Sequence, residues 1–152
     1  LLKSLPILNS EHVFQYYPDL INLPLFYPAI DQNPLPQIVI AFREKVRSAD
    51  AIIISTPSYL HNIPAVLKNS LEWLSSSGEL QAKRVLALTY TPQAPRGEKA
   101  MLSLTNTLKA LNARIITTLE LYYTDIAVDH TGIIYDNGGG VLLEEAIHVL
   151  QS

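Results

Sequence analysis

Apolar and polar positions along the chain alternate between two periods. Ala51-Ile52-Ile53-Ile54-Ser55 is apolar without interruption and stops at Thr56-Pro57. A run of that length with no polar face predicts a strand covered on both sides, as in a parallel sheet. Arg84 to Thr89 has the same character and stops before Thr91-Pro92, and Arg114 to Thr118 repeats it with an extension toward Leu121. His12 to Tyr17 reads as a fourth strand through the β-propensity of Val13, Phe14, Tyr16 and Tyr17.

Helical periodicity fills the intervals. Over Pro34 to Arg47, Ile38, Phe42 and Val46 recur at i, i+4, i+8, and Asn33 is placed to cap. Pro64 to Ser75 has a proline at its first position and a Leu67–Leu71–Leu74 stripe, with Lys68 and Glu72 as an outer i, i+4 pair. Glu98 to Leu111 aligns Ala100, Leu104, Leu108 and Leu111, and Val141 to Leu150 forms a last helix after Gly138-Gly139-Gly140. Strands alternating with helices define right-handed βαβ units and a three-layer α/β sandwich. The expected architecture is flavodoxin-like: one domain over residues 1–152, with a doubly wound parallel sheet of order 2-1-3-4-5. Four strands are counted where five are expected. Leu1 to Pro6 reads as the end of a helix whose strand and loop lie upstream, in keeping with a start at Leu-Leu-Lys and a sole methionine at Met101.

Composition narrows the chemistry. The 152 residues suit one domain, and 48% hydrophobic against 16% charged residues supports a sizeable core. A net charge of −3 gives no electrostatic footprint for nucleic acid. No apolar run approaches the ~18–20 residues that span a bilayer, so no membrane partner is expected. The absence of cysteine excludes disulfides, thiolate nucleophiles and cysteine-ligated metals. The four histidines, His12, His61, His130 and His148, lack metal-ligand spacing, and no metal site is expected.

Ligands of an open parallel sheet bind beyond the carboxyl ends of its strands. The relevant segments are Thr56-Pro57-Ser58-Tyr59-Leu60-His61-Asn62-Ile63-Pro64 and Tyr90-Thr91-Pro92-Gln93-Ala94-Pro95-Arg96-Gly97, each leading into a helix. Backbone N–H groups there suit the carbonyl-rich pyrimidine edge of a flavin, because fixed donors stabilise the negative charge that reduction brings to it.

Pro57-x-Tyr59-x-His61-x-Ile63-Pro64-x-x-Leu67-Lys68-Asn69-x-x-x-Trp73, preceded by Ala49-Asp50 and the isoleucine strand, resembles the signature of the NADPH-dependent FMN reductase family. Asp19-Leu20-x-x-Leu23-Pro24-Leu25 is similar to that family's segment after its second strand. Ser58 and Leu60 stand where the family more often has Glu and Asn. The family's Gly-rich phosphate loop has no counterpart, since no glycine precedes Gly78. The resemblance implies an FMN-dependent NAD(P)H oxidoreductase of ping-pong type that passes hydride to a quinone, flavin or similar acceptor. It further implies a cytoplasmic homodimer or homotetramer with no catalytic side-chain acid or base. The expected cofactor contacts are Pro57, Ser58, Tyr59, Leu60, His61, Asn62, Thr91, Pro92 and Gln93. The rival reading is a non-enzymatic flavodoxin-like carrier or interaction domain that has lost FMN.

Blander roles stand beside these. Tyr59 could simply cover the sheet end and His61 could be solvated. Lys68 and Asn69 read as structural, and Trp73 as core or a subunit contact. Gly138-Gly139-Gly140 lacks the Lys-Ser/Thr of a P-loop and reads as a flexible lead into a helix. Ser58 lacks the flanking glycines of a nucleophile elbow.

Overall fold

The computed structural model describes residues 2–8, 12–31, 34–131, 133–135 and 137–151. Among them, three strands form one parallel sheet: β1 (Ala51–Thr56), β2 (Arg84–Thr91) and β3 (Arg114–Tyr122), in the order β1-β2-β3. Ala51 lies opposite Arg84, and Thr56 opposite Thr89 and through it Glu120. The helices are α1 (Leu5–Leu8), α2 (Gln37–Ser48), α3 (Ala65–Glu72), α4 (Glu98–Ala110) and α5 (Asn137–Gln151). Short 3-10 turns occupy Leu2–Ser4 and Asp19–Asn22.

Period-two alternation in β2 separates two cores. Val85 and Ala87 join α2, α3 and α4 through Val39, Phe42, Leu67, Leu71 and Leu104. Leu86 and Leu88 join α1 and α5 through Leu5, Leu143, Ile147 and Leu150. Helices therefore cover both faces, as the uninterrupted apolar runs required.

Several boundaries move. β2 runs two residues past Thr89, so Tyr90 and Thr91 belong to the strand and not to its loop. α2 begins at Gln37, with Pro36 at its cap and no side-chain cap bond. The carbonyl of Pro36 accepts from Val39 and Ile40, and Pro64 likewise accepts from Leu67 and Lys68 at the start of α3. Pro64 is thus the cap residue and not the first helical one. Asn33, expected to cap α2, lies outside the described residues. α5 starts at Asn137, so the three glycines form its first turn. The expected Lys68–Glu72 pair forms at 2.6 Å.

His12 to Tyr17 is not a strand. A strand needs a hydrogen-bonded neighbour, and among the described residues this segment has none, although Phe14 and Tyr17 still pack against the cores.

The Leu-Lys-Asn element of α3 has a tertiary explanation. Asn69, buried, accepts a 2.7 Å hydrogen bond from the Phe26 N–H and donates one of 3.1 Å to the Pro24 carbonyl. Trp73, fully buried, donates its indole N–H to the same carbonyl at 2.7 Å and meets the Phe26 ring edge-on. α3 thereby fastens the Leu23–Phe26 segment. Asn69→Leu, similar in volume but without either group, strands the Phe26 N–H. We expect a stability loss of about 2–3 kcal/mol in urea denaturation.

Candidate functional site

β1 and β2 are adjacent and parallel, so the segments after Thr56 and Thr91 emerge side by side at one sheet edge. After β1 the chain makes a closed four-residue turn. The Tyr59 N–H donates to the Asn62 carbonyl at 2.8 Å and the Asn62 N–H to the Tyr59 carbonyl at 2.9 Å. Leu60 and His61 have φ of +50° and +63°, the signature of a type I′ turn. Neither is the glycine or asparagine that this turn favours, so holding both in the left-handed region costs on the order of 1–2 kcal/mol each. The Asn62 side chain adds a bond from the Ile63 N–H at 2.8 Å. Such strain concentrates where a scaffold aims particular groups at a ligand. Here the Leu60 and His61 N–H groups stay outside the turn's own bonds, at its tip.

Burial sorts the nine expected cofactor residues. Pro57, Tyr59, Leu60, His61, Asn62, Pro92 and Gln93 are exposed and Ser58 is partly so. Tyr59 is 62% exposed and Leu60 99%. Thr91 differs: it is buried and donates its hydroxyl to the Arg96 carbonyl, which fixes the second loop from beneath.

That loop closes at Gly97, where φ is +118°. A Cβ there would meet the Thr89 hydroxyl at 3.1 Å and the Thr91 methyl at 3.3 Å, so the glycine lets the loop lie flat on the strand. The Thr89 hydroxyl beneath it is buried and has no hydrogen-bond partner among the described residues.

Two parts of this edge were not expected from sequence. Tyr90 and Tyr123 pack with ring centres 4.6 Å apart, and the Tyr90 hydroxyl donates to the Ile126 carbonyl at 3.1 Å. Burial raises the Tyr90 pKa, with smaller contributions from Tyr123 and Tyr135, and this keeps it a neutral donor. The Tyr122-Tyr123 pair at the end of an apolar run was the available signal. The second part is a small hairpin bridged at Val128 and Ile134. It is tied to the Leu2–Ser4 turn ahead of α1 by a 2.8 Å bond from the Ile134 N–H to the hydroxyl of buried Ser4. No group of metal-ligating side chains occurs among the described residues, and none of the helices is long and apolar enough to cross a membrane.

A parallel sheet covered by helices on both faces, with two loops side by side at one carboxyl edge, defines a flavodoxin-like α/β protein. The solved structure of FerB, a flavoenzyme NAD(P)H:(acceptor) oxidoreductase from Paracoccus denitrificans, superposes with a TM-score of 0.83 over 99% of this chain and 85% of its own, at 18% identity, and so shares the fold. The chain belongs to the NADPH-dependent FMN reductase family, whose model matches residues 10–125. It is 38% identical over 120 residues to the NADH:(hydroxy)cinnamate reductase subunit CrdA of Vibrio ruber, covering 76% of this chain and 59% of that protein. It is 32% identical over 127 residues to a quinone reductase of Escherichia coli (strain K12), covering 80% and 68%. The chain thus spans 59% of the Vibrio protein's length and about two thirds of the quinone reductase.

Proposed function

We propose that this protein is an FMN-dependent NAD(P)H oxidoreductase that passes reducing equivalents to a quinone, flavin or similar acceptor. The observation that carries this is the strained Tyr59–Asn62 turn, which presents N–H groups at the sheet edge beside the Thr91–Gly97 loop.

The residues present fit a flavin. The Leu60 and His61 N–H groups suit carbonyl acceptors of a pyrimidine ring, and Tyr59 offers an aromatic flank. Gly97 keeps the second loop low enough for a planar ring system to approach. Bound FMN supplies the hydride-accepting ring. Pro57, Ser58, Tyr59, Leu60, His61 and Asn62 hold one edge, while Pro92 and Gln93 wall the other above the Thr91 anchor. These groups orient the ring, exclude water and favour negative charge at the pyrimidine edge, and no side-chain acid or base takes part.

The sheet is completed in the same reading. β1 is an edge among the described residues, yet its isoleucines are partly or fully buried on both faces, the character of a central strand. A cavity of about 750 Å³ separates that edge from the unpaired Phe14–Tyr17 segment. A parallel apolar strand seated in it would pair with both, giving the order 2-1-3-4-5, and would carry the phosphate loop at its carboxyl end. The protein works as a homodimer or homotetramer whose neighbouring subunit covers Tyr59 and Leu60, and it resides in the cytoplasm, where NAD(P)H is regenerated.

If donor and acceptor use one flavin site in turn, steady-state rates against NADPH at several quinone concentrations give parallel double-reciprocal lines. Intersecting lines contradict the ping-pong scheme, and absence of turnover with any quinone or free flavin contradicts the reductase.

A further inference from the structure

We propose that Tyr123, braced by Tyr90 at the carboxyl ends of β2 and β3, is the platform against which an uncharged aromatic acceptor such as a quinone packs. The proposal rests on the flavin reading and names a residue that selects the acceptor, outside the two loops that hold the cofactor.

The strands bring both tyrosines to the site. β2 and β3 are parallel neighbours, with Thr91 opposite Tyr122. The following N–H, that of Tyr123, donates to the Thr91 carbonyl at 2.9 Å. Tyr123 is thus pinned where the chain leaves β2 for the Thr91–Gly97 loop, the wall proposed for one edge of the flavin. Tyr90 is fixed in turn, because its hydroxyl donates to the Ile126 carbonyl at 3.1 Å. The two ring centres lie 4.6 Å apart with the planes at 50°, a spacing at which aromatic rings attract beyond the area they bury. Braced in this way, Tyr123 still keeps 53% of its surface open. A held ring with a bare side presents a large contact area at small entropic cost. Tyr135 extends the same shelf: it is exposed, its N–H donates to the Ala127 carbonyl at 3.1 Å, and it lies close enough to act on the Tyr90 hydroxyl.

Charge chooses between the two substrates of the reaction. Next to Tyr123, the Tyr122 hydroxyl donates to the Glu120 carboxylate at 3.0 Å. Burial raises the Tyr122 pKa most, and Glu120, Glu98 and Asp125 raise it further. Three carboxylates therefore act on the end of β3. They repel the pyrophosphate of a dinucleotide and leave a neutral quinone indifferent. An aromatic shelf set among carboxylates suits the acceptor better than the donor.

The test separates the two half-reactions of the full-length protein loaded with FMN, for wild type, Tyr123→Ala and Tyr123→Phe. In stopped flow without oxygen, NADPH reduces the flavin, and the reduced protein is reoxidised by a naphthoquinone or by ferricyanide, an acceptor with no aromatic ring. We expect Tyr123→Ala to slow reoxidation by dilute naphthoquinone about three- to tenfold, the worth of one aromatic contact. Reduction by NADPH and reoxidation by ferricyanide stay within about twofold, which also reports that the variant is folded and loaded. Tyr123→Phe, which keeps the ring, stays close to wild type in all three rates. Equal naphthoquinone rates for wild type and Tyr123→Ala overturn the platform and leave the flavin reading standing. Slower reduction by NADPH with unchanged reoxidation gives the ring to the dinucleotide and overturns the proposal. A common fall in all three rates with an altered sedimentation coefficient makes Tyr123 a subunit contact and overturns it as well. Wild type that binds no FMN, or whose FMN is not reduced by NADPH, overturns the flavin reading itself.

Discussion

Arg43→Ala loses about 3–5 kcal/mol of stability in urea denaturation, the largest single-residue effect expected in this fold. Arg43 leaves α2 inside the core, where its guanidinium donates to the Trp73 carbonyl at 2.9 and 2.6 Å and to the Ser76 hydroxyl at 3.2 Å. It pairs with Asp31 at 2.9 Å, both side chains being 9% exposed, and lies over the Trp73 ring. Truncation leaves the Trp73 carbonyl without the guanidinium and the poorly exposed Asp31 carboxylate with only the Ser76 hydroxyl and no counter-charge, and unpaired buried charge is what makes such deletions costly. Arg43→Ala/Asp31→Leu recovers part of the loss by removing that charge. A loss below about 1 kcal/mol would mean that the pair behaves as a solvated surface bridge.

The second large effect falls on ligand binding. Tyr59→Asp weakens FMN binding on the order of 10–100-fold, measured by fluorescence titration. The change removes an aromatic flank and sets a carboxylate beside the acceptor-rich edge of the flavin. Ser58→Ala changes affinity little, since the contacts proposed for this loop are made by its backbone N–H groups. Tyr59→Phe keeps the ring and stays close to wild type. Equal affinity for wild type and Tyr59→Asp removes the turn from the site.

Sequence and structure agree where one interaction type dominates. The strands at Ala51 and Arg84 were legible from their buried apolar runs and the one at Arg114 from its β-branched Ile115, Ile116, Thr117 and Thr118, although it is only partly buried, and four helices were legible from their stripes. Their ends were not, because Pro36 and Pro64 act as carbonyl caps and β2 continues through polar Thr89 and Thr91. His12 to Tyr17 has the composition of a strand without the neighbour that makes one, and propensity carries no information about neighbours. The candidate loops were legible from sheet topology alone. The turn within them was not, since Leu60-His61 has none of the chemistry that announces a left-handed pair. Asn69 and Arg43 gained their roles from segments 43 and 12 residues away. The hairpin bridged at Val128 and Ile134 depends on a bond between Ser4 and Ile134, 130 residues apart, which no local pattern records.

The central claim is that bound flavin accepts reducing equivalents from NAD(P)H and hands them on from the same site. The full-length protein, reconstituted with FMN, is mixed without oxygen with one equivalent of NADPH while the flavin's visible absorbance is followed, and a quinone is then added. The expected result is two separate steps: the absorbance bleaches before any quinone is present, and one equivalent of quinone restores it. Flavin that stays oxidised in NADPH alone, or that bleaches and is not restored by quinone, free flavin or another two-electron acceptor, contradicts the assignment of this protein as an NAD(P)H-dependent flavin reductase.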